Sequence, residues 1–303
     1  MAEIRYIYRG GQPNIPRDTT HVFVHAKKIC AWVFHFHPNI VEVICHDGVE
    51  QIEMGAFANC PSLRRVIMPG VKEVEEMAFN FCPALADVEC GKLEIIKEQA
   101  FHRNSLKTIN LPSARILEPW AFGECEALTD VKFGSKLERF DDGVFIKCKS
   151  LERINIPLKD NLFTDDTTFS GCRNLKRVDV VEGEMLHQTV GTLLREEWKQ
   201  DMNEEIDSIN QILPNVRAGE GFDADAMDYG NPGEKALAIQ RWIRSVLGKI
   251  VHYKAQHSRV LSEAVTAIQQ QFALPNDILT NNVLPFLTLP SHTFEGESNR
   301  RGR

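Results

Sequence analysis

The sequence predicts an α/β solenoid, in which short parallel strands stack turn upon turn, followed by an all-α C-terminal region. Three observations support this prediction: an aromatic residue that recurs about every 22 residues, an apolar run after each of these residues, and helical periodicity beyond Val181. With 43% apolar residues in a length of 303, the chain is long enough to bury a substantial core.

The composition excludes two classes of function. The net charge is −7, from 35 Lys plus Arg against 42 Asp plus Glu, which argues against bulk electrostatic binding of nucleic acid or anionic membranes. No window approaches the roughly 18 apolar residues that cross a bilayer, and the N-terminal residues MAEIRYIYRG lack the apolar segment of a secretory signal. We therefore expect a soluble, cytoplasmic protein.

The recurring aromatic residue is a phenylalanine, and most units place a cysteine three residues after it, as in AFANC, AFNFC, AFGEC, VFIKC and TFSGC. The phenylalanines that define the period are Phe34, Phe57, Phe79, Phe101, Phe122, Phe145 and Phe169. Each is followed by a run such as LRRVIM or LTDVKF, whose first, fourth and sixth residues are apolar. The alternation at the end of the run predicts a strand with one buried face. One unit alone should not fold, because ordering it costs roughly 20–40 kcal/mol of backbone entropy while its apolar burial returns only about 9–18.

The cysteines are predicted to be structural thiols, since a small apolar side chain with a weak S–H donor suits the bend of each unit. None of the eight has the paired spacing that structural zinc prefers, and zinc or disulfide bonding remains the lesser alternative. The unit at Phe101 departs from the pattern, with Asn104 at the thiol position and one residue fewer. This departure predicts a local tightening rather than a break.

These units resemble the leucine-rich repeat of the bacterial-surface-antigen type, which reads roughly LxxIxLPxxxxxIxxxAFxxCxx, over about residues 20–181. The resemblance implies a right-handed solenoid with a parallel sheet on its concave side and a ligand surface made from the exposed strand positions. The repeat followed by a helical tail is also similar to uncharacterised leucine-rich-repeat proteins of diatom-type algae, for which the resemblance implies no activity.

The concave face provides the candidate site, because the third and fifth residues of each run point away from the core. A mixed row of acids and bases suits a protein partner better than phosphates. The predicted acidic patch of Asp87, Glu89 and Asp130 is followed by basic residues, and the alternative is that these are merely solvated positions. The predicted partner-binding residues are Glu42, Arg65, Asp87, Glu89, Asp130, Lys132, Arg153, Arg177 and Asp179.

The sequence suggests five regions. They are a solenoid with its N-terminal cap (1–183), a capping helix (184–213), a flexible linker (214–231), a C-terminal helical region (232–291) and a disordered tail (292–303). The capping helix is predicted from apolar residues at three- and four-residue steps from Val190 to Leu213. It would cover the exposed end of the solenoid.

A long helix is predicted from Asn231 as N-cap and Pro232 at the first helical position. Over 232–273 it either folds back on the 190–213 helix as a hairpin or projects as a coiled coil that mediates self-association. The segment 274–291, LPNDILTNNVLPFLTLPS, resembles the opening of an F-box, or else forms a short amphipathic turn of helix. The F-box resemblance would imply a substrate adaptor in ubiquitin-dependent turnover.

The sequence contains no phosphate-binding loop, nucleophile elbow or metalloprotease motif. His35, His37 and His46 form a metal candidate for which a structural role is favoured, and the calcium-like spacing of Asp223 and Asp225 has Asp228 where glycine is needed. We therefore predict no catalytic residue, no metal and no cofactor. The predicted function is a non-catalytic scaffold or receptor that binds another protein.

Overall fold

A computed structural model describes residues 3–181, 183–220 and 233–272. The chain forms two compact units. The first unit comprises 1–157, 161–181 and 210–240, and the second comprises 158–160, 182–209 and 241–303.

The first unit is a solenoid of parallel strands, which confirms the predicted fold class. In chain order the strands are β1 (Arg5–Tyr8), β2 (His21–Val24), β3 (Lys28–Ile29), β4 (Glu42–Cys45), β5 (Gln51–Ile52), β6 (Arg65–Ile67), β7 (Glu73–Val74), β8 (Asp87–Glu89), β9 (Ile95–Ile96), β10 (Thr108–Leu111), β11 (Ile116–Leu117), β12 (Asp130–Phe133), β13 (Arg139–Phe140), β14 (Arg153–Ile156) and β15 (Arg177–Val180).

These strands make three sheets. Two of them, β1-β2-β4-β6-β8 and β10-β12-β14-β15, contain the strands predicted from the apolar runs. The third sheet, β13-β11-β9-β7-β5-β3, consists of two-residue strands. The sequence did not predict this sheet, since two residues are too few to show alternation. It also did not predict β1 and β2, which precede the first recognised unit.

The core contains a continuous column of the repeat phenylalanines. Successive rings from Phe34 to Phe169 stack nearly parallel, with centroids 4.9–5.8 Å apart. Tyr8 closes the N-terminal end by packing edge-on against Phe34 at 5.4 Å. Every ring in the column is buried, so each turn supports the next through the same contact.

The repeat cysteines act as predicted. The Sγ–H of Cys60 donates to the carbonyl of Phe34 at 3.1 Å, and Cys82, Cys125, Cys148 and Cys172 each donate in the same way to the repeat phenylalanine of the preceding turn. All eight cysteines are free, and seven are buried. Burial raises the pKa of the Cys125 thiol to about 12, so this thiol stays protonated and remains a donor.

The bend around each phenylalanine has an unusual backbone. The residues two before and two after it often have positive φ, as at Trp32 (58°) and Phe36 (56°). This conformation lets the N–H groups of alternate residues point along the solenoid axis in one direction. The amides of Trp32, Phe34 and Phe36, for example, donate to Met54, Ala56 and Ala58 of the following turn at 2.8–3.0 Å.

The unit at Phe101 interrupts the strand ladder, which corrects the prediction of a mere tightening. β8 and β10 belong to different sheets, while β9 and β11 remain paired across the same unit. Asn104 replaces the thiol, and its Oδ1 accepts a hydrogen bond from the backbone N–H of Cys82 at 3.2 Å. The one-residue deletion shortens the turn before β10, which explains why the break falls there.

The stretch 184–213 forms two helices where one was predicted, α1 (Gly183–Gly191) and α2 (Glu196–Ile212), followed by a 3-10 turn at Leu213–Asn215. The helix break follows Gly191, a poor helix former. Within the first unit, the Asn210 side chain accepts a hydrogen bond from Val178 in β15 at 2.8 Å. The buried Lys235 donates to the Leu175 carbonyl, and burial lowers the pKa of its ammonium group.

The long helix is α3 (Lys235–Phe272). In the second unit it packs against α2: Trp242 donates to the Glu205 carbonyl at 2.9 Å, and Tyr253 donates to Asp201 at 2.8 Å. Lys249 adds ion pairs to Asp201 and Glu205 at 2.9 and 3.0 Å. These contacts favour the hairpin over the projecting helix, and self-association through 232–273 stays a prediction.

Several predictions fall outside the described residues. They concern the linker from 221 onward, the N-cap at Asn231 with Pro232, the calcium-like spacing at Asp223 and Asp225, the F-box-like segment 274–291 and the tail 292–303.

Candidate binding face

The candidate site is the outward side of β1-β2-β4-β6-β8 and β10-β12-β14-β15, here called the strand face. Parallel register aligns its side chains in two rows that cross the strands. The first row contains Arg5, His21, Glu42, Arg65 and Asp87, then Thr108, Asp130, Arg153 and Arg177. The second row contains Ile7, Phe23, Ile44, Ile67 and Glu89, then Asn110, Lys132, Asn155 and Asp179.

All nine residues predicted to bind a partner lie in these two rows, with their strand neighbours turned into the core. In β4, for example, Val43 and Cys45 are buried while Glu42 and Ile44 are partly exposed. The structure therefore brings the predicted residues onto one face. That they bind a partner stays a prediction.

In the N-terminal half of the strand face, three carboxylates surround one guanidinium. Arg65 is 3.0 Å from Asp87 and 3.9 Å from Glu42, and it also pairs with Glu89. The Nε2 atom of His21 is 3.9 Å from the second carboxylate oxygen of Glu42, Oε2. These ion pairs are partly exposed, so each contributes at most about 1 kcal/mol to stability. Their larger effect is electrostatic, because the carboxylates of Glu3, Glu42, Asp87 and Glu89 outnumber the guanidiniums of Arg5 and Arg65 in this half.

Beside these charges lies a row of four apolar side chains that the sequence-based prediction did not assign to the site. Ile7 is 48% exposed, and Phe23, Ile44 and Ile67 are partly exposed. The Arg5 guanidinium lies 5.7 Å from the centroid of the Phe23 ring. The available signal was an isoleucine at the fifth position of two successive runs, where other runs have a polar residue. Ile7 and Phe23 were missed because their strands were missed.

The C-terminal half of the strand face is polar and paired with itself. Arg153 and Arg177 both pair with Asp179, the latter at 3.0 Å. The side chain of Asn155 bonds both backbone groups of Phe133, accepting from its N–H at 2.6 Å and donating to its carbonyl at 3.3 Å. A depression of about 170 Å³ lies among these residues, lined in part by Asp130 and Lys132. It is smaller than the roughly 300 Å³ minimum of typical ligand pockets.

The predicted acidic patch of Asp87, Glu89 and Asp130 is not continuous, which corrects that prediction. Asp87 and Glu89 are on β8, whereas Asp130 is on β12 in the other sheet, with Thr108 on the strand between them. The ladder break at Asn104 separates the two sets. The negative charge is therefore concentrated around Arg65.

Exposed aromatic side chains also occur on the turns. Trp32, Phe36 and Phe81 are 43%, 65% and 38% exposed, and all three have positive φ. A left-handed conformation costs a non-glycine residue about 1 kcal/mol or more. Glycine occupies such positions at Gly55 and Gly143, so the backbone does not require an aromatic side chain there. The repeat pattern treated these positions as spacers and missed them.

The histidines considered as a metal candidate do not converge. His37 is buried and its Nε2 lies 3.0 Å from the Pro16 carbonyl, whereas His35 packs on Trp32 and His46 stacks on His25. Over the described ranges no group of three His, Cys, Asp or Glu side chains has the geometry to hold a metal ion. Within the same ranges, no helix has the length and apolar character needed to span a membrane.

The fold and the side chains of the strand face together define a repeat protein of the leucine-rich class. A family model described as "BspA type Leucine rich repeat region" matches residues 19–118 and 94–189, more than half of the chain. The chain belongs to this family. Proteins of this kind generally act by binding other proteins, and their repeats are generally non-enzymatic.

Solved structures include similar solenoids. A leucine-rich repeat protein from T. pallidum is 31% identical, with 46% of this chain and 69% of that chain covered and a TM-score of 0.43. One from Bacteroides ovatus is 20% identical, with 56% and 48% covered and a TM-score of 0.43. The pneumococcal vaccine antigen PcpA is 16% identical, with 59% and 66% covered and a TM-score of 0.33. A search of curated proteins found no match, and the similarity to diatom-type proteins stays a prediction.

Proposed function

We propose that this protein is a non-catalytic scaffold or receptor that binds a partner protein through its strand face. The observation that carries the proposal is the asymmetry of that face. Its N-terminal half combines four apolar side chains with an excess of carboxylates, while its buried repeat phenylalanines stack as they do in the other half.

The apolar row supports a protein partner because solvent-facing sheet positions normally carry polar residues. An aligned row of isoleucine and phenylalanine provides area that gains free energy on burial, at about 25 cal/mol per Å². The adjacent carboxylates and Arg65 then discriminate between partners by charge. This combination of an apolar centre and charged surroundings is the usual anatomy of a protein interface.

A cytoplasmic location is part of the proposal, and it is supported by the eight free thiols. Self-association through the 232–273 helix is not needed for it, since the contacts of α3 with α2 already use part of its apolar stripe.

The proposal is tested by affinity capture from cell extract with three forms of the full chain, each retained on beads at equal load. The apolar variant carries Ile44→Ser and Ile67→Ser. The charge variant reverses Asp87, Glu89, Arg153 and Arg177. We expect proteins that bind the native chain to be reduced at least ten-fold on both variants.

A matched control keeps this test specific. Lys92→Glu with Lys136→Glu changes two exposed lysines that lie off the strand face and should leave capture unchanged. Thermal unfolding of each variant shows that the solenoid is intact. If the same proteins bind the native chain and both strand-face variants equally, the strand face is not the binding surface.

A further inference from the structure

The apolar row of the strand face has a geometry that distinguishes among the conformations of a bound segment. Ile7, Phe23, Ile44 and Ile67 lie on four consecutive strands of one sheet. Adjacent strands are about 4.8 Å apart, so the row is roughly 15 Å long. A partner lying along it must present an apolar side chain about every 5 Å.

An α-helix meets this requirement, whereas extended chains do not. One face of a helix repeats every turn, or about 5.4 Å, so residues i, i+3 or i+4, i+7 and i+11 span about 16 Å. Side chains on one face of a β-strand are about 6.7 Å apart, and a polyproline helix repeats only about every 9 Å. The helix therefore fits the row in register over its whole length.

The width of the strand face also suits a helix. The charged row lies two residues along each strand from the apolar row, a separation of about 7 Å, and a helix with its side chains is about 10 Å across. A helix seated on the apolar row would thus place one flank over His21, Glu42, Arg65 and Asp87. Arg5 also lies in this row, and it pairs with Glu3 at 2.7 Å. The guanidiniums of Arg5 and Arg65 thus face four carboxylates, those of Glu3, Glu42, Asp87 and Glu89, so that flank faces an excess of negative charge.

We propose that the N-terminal half of the strand face binds an amphipathic α-helix of about three turns, with an apolar stripe and lysine or arginine along one flank. The helix N-terminus lies toward Asp87 and Glu89, since carboxylates are favourable near the positive end of the helix dipole. This inference rests on the proposed function and specifies the partner of the same face.

The test selects binders from two display libraries of equal size against the full chain. In the first, randomised residues lie on the exposed helix of a fixed helical-hairpin scaffold. In the second, they lie in an unstructured peptide. We expect the helical library to yield binders with apolar residues at i, i+3 or i+4 and i+7 and with flanking Lys or Arg. Their affinity should fall at least ten-fold with Ile44→Glu and stay unchanged with Asn110→Glu, which is in the same row of the other half.

The outcomes separate the two proposals. If only the unstructured library yields binders that are sensitive to Ile44→Glu, the strand face binds proteins but the helix inference is wrong. Helical binders without a basic flank, or with an acidic one, also overturn it. If neither library yields an Ile44-dependent binder, the inference fails, while capture from extract still decides the broader function.

Discussion

The two halves of the strand face share one core and differ at the surface. In β1-β2-β4-β6-β8 one outward row is largely apolar and the other charged, with carboxylates in excess. In β10-β12-β14-β15 both rows are polar, and they include the ion pairs of Asp179 and the bonds of Asn155 to backbone. The phenylalanine column continues through both halves without a change of contact. The repeat period thus constrains the inward positions, and the outward positions are free to specialise in one half.

The largest expected effect tests the shared core. Phe57 lies in the N-terminal half and Phe122 in the C-terminal half, and both are fully buried between two stacked rings. Phe57→Ala and Phe122→Ala should each lower the free energy of unfolding by about 3–5 kcal/mol, measured by urea denaturation. Lys132→Ala is the surface control and should stay within about 0.5 kcal/mol. Losses that differ by more than about 2 kcal/mol would mean that the two cores are not equivalent.

The second prediction concerns pH and the unit between the halves. Burial lowers the pKa of His102 to about 4, and this ring is 5% exposed. Because the unfolded chain binds a proton near the ordinary pKa of about 6.5, stability is complete above that pH and falls as the pH decreases toward 4, by up to about 3 kcal/mol. Unfolding free energies of the native chain and His102→Gln should converge between pH 7 and 4.5.

His35→Gln is the matched control for this pH dependence, because His35 is exposed. It removes the same side chain from an exposed position, so a difference between the two variants is specific to the buried site. If the His102→Gln curve runs parallel to the native one, the pKa of His102 is the same in the folded and unfolded chains and the junction is open to water.

The third prediction concerns the junction between the two halves, the unit at Phe101 where the strand ladder is interrupted. Asn104→Ala removes the acceptor of the buried Cys82 N–H, which should cost about 1–3 kcal/mol. The change should also speed hydrogen exchange at the Cys82 amide. Asn174→Ala removes a hydrogen bond from an exposed asparagine and should cost less than about 1 kcal/mol. Equal losses would indicate that the Asn104 hydrogen bond adds no more to the junction than an exposed one.

The fourth prediction concerns the difference in charge between the two halves and has the smallest expected effect on stability. Arg65 lies among three carboxylates of the N-terminal half, so Arg65→Gln should strengthen binding of a basic helix several-fold and steepen its dependence on salt. Arg153→Gln changes a base in the other half and should leave affinity unchanged. Fluorescence anisotropy with a selected helical binder measures both. Weaker binding by Arg65→Gln would mean that the guanidinium itself contacts the partner.

The sequence predicted the repeated interior well because Phe57, Cys60 and their equivalents recur at one period and must meet the same neighbours. It predicted less of the surface. Ile44 and Ile67 were recognised as outward, but their alignment with Phe23 and Ile7 depends on strands that precede the first recognisable unit. The ion pairs around Arg65 also depend on register between strands about 22 residues apart, which no local pattern contains.

The alternate amides of the turns donate to the following turn, so the two ends of the solenoid differ. The first turn offers backbone carbonyls that no preceding turn can satisfy, and the last turn offers N–H groups that no following turn can satisfy. The Gln12 side-chain amide supplies a donor to the Ala31 carbonyl at 2.8 Å, and the Ala218 carbonyl accepts from Gly171 at the opposite end, also at 2.8 Å. Each terminus is thus closed by a group of complementary polarity. A whole turn added or removed between them would preserve both closures, which allows this architecture to change length without redesigning its ends.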